Sequence, residues 1–137
     1  MPNGALVLCD AGPLIALFET SDRAHAKCKT TLKHLNAKLL TTSPVLTEVF
    51  HFVGRPLQRK ALWDFVLSDG LILVELKPLD LPRMQSLMAQ YADLPMDFAD
   101  ASLVAAAERL RLRKVFTLDL HFRVYRPRHA RSFEVFP

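Results

Sequence analysis

The chain has 137 residues, of which 50% are hydrophobic and 23% charged, which predicts one globular domain over residues 1–137 that needs no disulfide to fold. No apolar run approaches the ~18 residues of a membrane span, and the first ten residues show no secretory signal, so a membrane-spanning or exported protein is not expected. The net charge of +4 and the isoelectric point near 9.3 favour an anionic partner only weakly, because many basic proteins have none.

Apolar runs and helical periodicity alternate along the chain. In chain order they predict a strand at residues 5–10, helices at 13–18 and 23–35, a strand at 38–42, helices at 43–54 and 57–67, a strand at 71–76, helices at 82–91 and 96–110, and strands at 114–119 and 131–136. This alternation predicts a three-layer α/β/α sandwich around a mostly parallel sheet.

Local signals refine two of these elements. In the helix at 43–54, Ser43 is expected as the N-cap, Pro44 as the first helical residue and Gly54 as the end. Cys9 and Cys28 fall within a predicted strand and a predicted helix. They are therefore interpreted as buried thiols of a reduced, cytoplasmic protein.

Two acidic residues follow predicted strands. Asp10 ends the first strand, and Asp119 follows the apolar part of the strand at 114–119. Parallel sheets place their binding sites at the carboxyl ends of the strands, so both residues are candidates for a site there. The alternative for each is a turn residue or a helix cap.

The stretch "MDFADASLVAAAERL" begins with two further acids. Helical geometry directs Asp100 towards the apolar side of the helix, with Ser102 and Arg109 expected on the opposite, solvated face. A carboxylate on a buried face is costly unless it is paired or binds a metal, which favours a functional role for Asp100. Asp97 fits the N-cap, and the favourable helix dipole is the alternative explanation for both acids.

Glu48 lies on the helix at 43–54, between an apolar side and a polar arc. Together with Asp10, Asp100 and Asp119 it makes four acids on four separate elements that a parallel fold would bring to one rim. Converging carboxylates repel one another and therefore imply a bound cation. Hard oxygen ligands favour Mg²⁺ or Mn²⁺ over zinc.

These residues lie within motifs that, in this order and spacing, resemble a known family over the whole chain. The motifs are "LCDAGPLIALF", "TSPVLTEVF", "LPMDFADASLVAAAERL" and "VFTLDLHFRVYRPRH". The chain is similar to the PIN-domain ribonucleases, and most of all to the VapC-like toxins of type II toxin–antitoxin pairs.

The resemblance implies a PIN-like fold and hydrolysis of RNA phosphodiester bonds with Mg²⁺ or Mn²⁺. It places the catalytic and metal-binding acids at Asp10, Glu48, Asp100 and Asp119, with Asp97 as a helix cap or a residue just outside the metal ligands. It also implies an antitoxin partner and a homodimer, for which residues 17–35 often provide the surface. In many relatives Thr or Ser follows the first Asp, and a further acid precedes the Phe of the last motif.

This chain departs from the family at both places. Ala11 and Gly12 follow Asp10, and His121 replaces the further acid, which puts a second metal site in doubt. The four-acid core is intact.

A basic run near the C-terminus is a candidate RNA-binding segment. The run "FRVYRPRHARSF" carries Arg123, Arg126, Arg128 and Arg131 with Tyr125 between them, so it could grip a phosphate backbone or stack on bases. The alternative is an exposed basic loop.

The helix at 57–67 carries an apolar set that fits either the core or a groove for a partner helix. Its members are Leu57, Leu62, Trp63, Phe65 and Val66. Two functions other than a ribonuclease also remain open at this point. One is a non-catalytic PIN-like module that binds RNA or protein, and the other is a DNA nuclease of related fold.

Overall fold

The computed structural model describes residues 5–137. Over these residues it has five strands: β1 Leu6–Cys9, β2 Lys38–Thr42, β3 Leu71–Val74, β4 Lys114–Phe116 and β5 Glu134–Phe136. The same residues form six α-helices: α1 Ala11–Phe18, α2 His25–Leu35, α3 Ser43–Phe52, α4 Pro56–Leu67, α5 Leu81–Gln90 and α6 Phe98–Leu110. Short 3₁₀ turns, Pro78–Asp80 and Leu120–Arg123, precede α5 and follow β4.

The strands form one sheet in the order β3-β2-β1-β4-β5, and each described pair is parallel. Successive strand residues point to opposite faces, and Val7, Leu8 and Cys9 are all at most 1% exposed. Both faces of β1 are therefore covered, as expected for a parallel strand. The predicted three-layer α/β/α sandwich is confirmed.

The strand order reverses at β1. From β1 the chain continues through β2 and β3 on one side of the sheet, then returns to place β4 and β5 on the other side. Such a reversal leaves a crevice outside the carboxyl ends of the two central strands, which are β1 and β4 here. This is the place where the acids after these two strands meet.

Several predicted boundaries were wrong, including both ends of the helix at 43–54, whose first helical residue is Ser43 rather than Pro44 and whose last is Phe52 rather than Gly54. Thr42, and not Ser43, is the N-cap of α3, and no side chain caps the helix because the Thr42 hydroxyl bonds to Ser102 instead. The last strand begins at Glu134 rather than at 131, because β4 offers only three residues with which to pair.

Two further predictions concern the cysteines and α4. Cys9 and Cys28 are fully buried and form no disulfide, as predicted. On α4, Leu62 is fully buried whereas Leu57 and Trp63 are 80% and 51% exposed. The helix therefore contributes to the core and also carries an apolar surface. Within residues 5–137 no helix has the length and apolar composition needed to cross a membrane.

Candidate metal centre

Asp10 and Asp119 meet at the carboxyl ends of β1 and β4. Each is the N-cap of the helical segment that follows it, which is the alternative role considered from the sequence. Asp10 Oδ1 accepts from the Ala11 amide at 2.9 Å, and Asp119 Oδ1 accepts from the His121 amide at 2.9 Å. Capping uses only one oxygen of each carboxylate. Both residues also line a common cavity, so a cap and a site residue are compatible roles here.

Thr117 connects these two acids, and sequence reasoning missed it. Its hydroxyl donates to Asp10 Oδ2 at 2.8 Å and accepts from the Asp119 amide at 2.9 Å. It lies 107 positions from Asp10, so no local pattern could reveal the contact. The available signal was its place two residues before Asp119, directly after β4.

Asp97 and Asp100 form a reciprocal cap at the start of α6. Asp97 Oδ1 accepts from the Asp100 amide at 2.8 Å, and Asp100 Oδ2 accepts from the Asp97 amide at 3.3 Å. The same Asp100 oxygen lies 3.3 Å from the hydroxyl of Tyr125, which donates to it. The Asp100 carboxylate is thus held by α6 and by the buried Tyr125.

Ser102 was expected on a solvent-exposed face of α6, but it is buried. All residues from Ala99 to Ala107 are buried, and Ser102 is fully buried with its hydroxyl donating to the carbonyl of Ala99. Arg109 is not free in solvent either, because it pairs with Asp80. The helix is buried on several sides because it packs against α3, α5 and β2. The prediction that Asp100 is buried was correct, but the prediction of one apolar and one solvated face was wrong.

Three of the four candidate acids form a compact cluster, which we call the acidic triad: Asp10, Asp100 and Asp119. One carboxylate oxygen from each lies within 4.8 Å of the others. Glu48, half-buried on α3, is not part of this cluster. It lies at the edge of the same cavity, of about 340 Å³, together with Asp97.

The remaining residues around this cavity are apolar or glycine, and the lining as a whole contains no Lys or Arg within the described chain. They are Ala11, Gly12, Ile15, Phe52 and Leu118. The negative charge of the acids therefore has no cationic side chain to offset it inside the cavity.

Burial and mutual repulsion disfavour ionisation of these carboxyls. Burial first, and then the charges of Asp10 and Asp97, raise the pKa of Asp100 to about 8. Burial raises the pKa of Asp10 to about 6, although hydrogen bonds from Thr117 and Ala11 oppose the shift. Burial, followed by the charge of Asp97, also raises the pKa of Glu48.

This arrangement fits a divalent cation. Buried carboxylates need a partner charge, and the triad offers oxygen ligands only, which are the ligands that Mg²⁺ and Mn²⁺ prefer. His121, where many relatives carry an acid, adds no carboxylate to the triad. Its Nδ1 lies 3.3 Å from Asp119 Oδ1.

The structure separates the residues of the basic run. Tyr125 is fully buried, with its ring against Tyr91 and Phe122, so the expectation that it could stack on bases was wrong. Its burial brings its hydroxyl to Asp100, a contact that no local pattern predicts.

The arginines of the run lie in different surroundings. Arg123 is exposed at the end of the 3₁₀ turn that starts beside Asp119. The guanidinium group of Arg126 donates hydrogen bonds to the carbonyls of Arg123 and Tyr125. Arg126 therefore stabilises the turn and is less available to an RNA phosphate. Arg128 lies beside Glu108, at the other end of α6 from the triad.

Known proteins match this chain in sequence and in fold. The family model described as PIN domain matches residues 7–126. Ribonuclease VapC26 of Mycobacterium tuberculosis is 24% identical over 135 residues, covering 96% of this chain and 100% of the relative.

Two solved structures share the fold. VapC20 of Mycobacterium tuberculosis, described as a sarcin-ricin loop cleaving toxin, superposes with a TM-score of 0.79 at 15% identity, over 93% of this chain and 100% of that chain. A toxin–antitoxin complex from Klebsiella pneumoniae superposes with a TM-score of 0.59 at 22% identity, over 83% of this chain and 87% of that one.

Proposed function

Because the chain belongs to the PIN-domain family, we propose that it is a metal-dependent endoribonuclease and the toxin of a toxin–antitoxin pair. The observation that carries the proposal is the acidic triad at the point where the strand order reverses. The sequence relative named a ribonuclease and the similar fold of a toxin that cleaves the sarcin-ricin loop support RNA as the substrate.

The triad would hold Mg²⁺ or Mn²⁺ through Asp10, Asp100 and Asp119, with Glu48 binding directly or through water. When bound, such an ion offsets the charge of the scissile phosphate and makes water a better nucleophile. The described cavity lining contains no Ser, Cys or His, so it offers no hydroxyl, thiol or imidazole nucleophile, and attack by water is the simpler course.

Two neighbours of the triad position its carboxylates. Thr117 donates to Oδ2 of Asp10, whose other carboxylate oxygen accepts from the Ala11 amide. Tyr125 donates to Oδ2 of Asp100. Hydrogen bonds of this kind orient metal ligands.

The antitoxin and the homodimer are part of the proposal. The complex from Klebsiella pneumoniae supports an antitoxin partner, because this chain shares the fold of a protein in it. The apolar surface of α4 around Leu57 and Trp63 also suits a partner helix, since large apolar side chains at a surface favour association. The homodimer stays a prediction.

The direct test is cleavage of single-stranded RNA by the purified protein with Mg²⁺, with Mn²⁺ and with EDTA. We expect cleavage with either ion, none in EDTA, and recovery when Mg²⁺ is added in excess. Asp10→Asn and Asp119→Asn should each abolish cleavage while the protein stays folded. Asp64→Asn is the matched control, because Asp64 is an exposed acid paired with Lys60 on α4.

Two results would reject the proposal of a metal-dependent ribonuclease. Undiminished cleavage in EDTA would exclude the metal mechanism. Tight RNA binding without cleavage under any metal condition would favour the non-catalytic module instead.

A further inference from the structure

A groove runs from the metal centre along α3 and the start of α6. Its volume is about 500 Å³, and it shares Glu48 and Asp97 with the cavity of the acidic triad. We call it the α3–α6 groove. Its other lining residues are Pro44, Thr47, His51, Phe98 and Ala99. Because the two cavities share residues, a polymer bound at the triad can continue into this groove.

The groove exposes aromatic rings that are not packed into the core of the monomer. Phe98, at the first helical position of α6, is 46% exposed. His51 is exposed in the same groove, and its ring packs edge-on against Phe52, which is 59% exposed and borders the triad cavity. Large aromatic side chains that stay exposed beside a cavity are candidates for ligand contacts.

No Lys or Arg of the described chain lines either the groove or the triad cavity. Lysine or arginine side chains of the lining therefore do not supply affinity for nucleotides inside the two cavities. Aromatic stacking can, because every nucleobase has a face that stacks on a ring. The carboxylates of Glu48 and Asp97 add hydrogen-bond acceptors at the edge of the groove, and single-stranded RNA is commonly bound by stacking together with contacts to base edges.

We infer that the α3–α6 groove is a subsite for a nucleobase of single-stranded RNA next to the scissile phosphate, with the ring of Phe98 as its stacking surface. This inference rests on the proposed function, since it assumes that RNA is cleaved at the triad. A second copy of the chain is the competing occupant. A second copy would have to place a Lys or Arg beside Glu48 and Asp97, since burial of these acids without a partner charge is unfavourable.

The test measures coupling between Phe98 and one base. The cleaved bond in a single-stranded RNA oligonucleotide is first mapped with the parent protein and Mg²⁺. Oligonucleotides with an abasic nucleotide on either side of that bond are then bound to protein carrying Asp119→Asn, so that binding is measured without cleavage. Phe98→Ala, Phe98→Tyr and Leu79→Ala are compared in this background. Leu79 is 70% exposed at the Arg109 end of α6 and is the matched control.

We expect Phe98→Ala to raise the Kd for the intact RNA roughly 5- to 100-fold. One abasic substitution should raise the Kd of the protein that retains Phe98 by a similar factor and should have little further effect on Phe98→Ala. Phe98→Tyr should bind like the parent ring, and Leu79→Ala should not change the Kd. The slope of log Kd against log salt should stay constant, because Phe98 makes no phosphate contact.

The inference is overturned if the abasic penalty is the same in the protein that retains Phe98 and in the Phe98→Ala protein. It is also overturned if Phe98→Ala changes the oligomeric state in size-exclusion chromatography while the abasic penalty stays at the parent value. The groove would then be an interface between copies. Failure of the proposed function is a separate result, because it would appear as absence of cleavage by the parent protein whatever the outcome for binding.

Discussion

Asp100 shows how one carboxylate can serve both a helix and a metal centre. It completes the cap of α6 with Asp97 and at the same time faces Asp10 and Asp119. Two unit charges no more than 4.8 Å apart repel by at least about 3 kcal/mol at an effective dielectric of ~20 when both are ionised. A charge at a helix start stabilises by only roughly 0.3–1 kcal/mol. Repulsion and burial therefore dominate in the absence of metal.

Asp100→Asn should consequently raise the melting temperature in EDTA at pH 8. The folded state keeps the Asp100 proton up to about pH 8, whereas the unfolded chain loses it near pH 3.9. The stability that comes from the protonated form is fully present below pH 4 and is lost as pH rises towards 8. The gain from Asn should therefore be largest at pH 8 and vanish near pH 4.

Thermal unfolding across this pH range checks the prediction, with Asp64→Asn as the control because Asp64 is an exposed acid that pairs with Lys60 and does not line the triad cavity. Saturating Mg²⁺ should stabilise the parent by mass action and remove the mutant's advantage. If Asp100→Asn melts below the parent at pH 8 in EDTA, Asp100 acts mainly as a helix-start residue.

Tyr125→Phe should reduce RNA cleavage about tenfold at limiting Mg²⁺, a loss typical of groups that orient metal ligands. The ring keeps its packing, but the hydroxyl that donates to Asp100 is gone. Higher Mg²⁺ should restore much of the rate. Tyr91→Phe is the control, because the Tyr91 hydroxyl accepts from the Arg126 amide and does not contact an acid of the triad. Equal rates for the two variants at every Mg²⁺ concentration would contradict a role for the Tyr125 hydroxyl.

At the scale of elements, the position of α6 against β2 decides where Asp100 lies. The fully buried hydroxyls of Thr42, at the end of β2, and Ser102, on α6, are 2.6 Å apart. They are the polar link between the strand and the helix within a contact that is otherwise apolar. Small residues of α6, from Ala99 to Ala107, allow the helix to lie close to its neighbours.

Ser102→Ala should therefore lower the free energy of unfolding by about 1–3 kcal/mol, since it leaves the Thr42 hydroxyl buried without its partner. Thr42→Val removes that hydroxyl, and the double variant should lose less than the sum of the two single changes. Urea unfolding of all four proteins measures the coupling. Strict additivity would mean that the two hydroxyls do not stabilise each other.

In the molecule as a whole, acidic and basic side chains are concentrated at opposite ends of α6. The acids gather at the carboxyl ends of the strands, whereas arginines concentrate at the other end of α6, where Arg83 pairs with Glu108 and Arg109 with Asp80. The net charge of +4 thus does not describe the metal centre itself. Under the proposed function, RNA would approach a negative cavity, and cationic groups around the cavity would offset the repulsion.

Arg123→Ala should weaken RNA binding and reduce the slope of log affinity against log salt by about one, the change expected for one lost phosphate contact. Arg126→Ala should have a smaller effect, because its guanidinium already bonds the carbonyl of Arg123. Arg113→Ala is the control, since Arg113 lies beside Glu134 at the amino end of β4. Identical salt slopes for Arg123→Ala and Arg113→Ala would mean that Arg123 makes no phosphate contact.

Local sequence patterns were enough to predict the fold class and the approximate place of the acids. Alternating apolar runs and helices predicted the parallel three-layer fold, and Asp10 and Asp119 follow strands as the pattern indicated. Asp97 could be recognised as a cap from its position before a helix. These features depend on residues that are close to one another in the sequence, and hydrophobic periodicity and capping signals describe only such residues.

The contacts between side chains could not be predicted in this way, because they depend on how distant segments pack. The order of the strands brings Thr117 to Asp10 across 107 positions and Tyr125 to Asp100 across 25. It also buries Ser102, because α6 is covered on several sides and helical periodicity can describe only one covered face. A local pattern fixes the direction of a side chain from its own helix or strand. Its partners depend on how the strands and helices are arranged, because residues distant in the chain supply them.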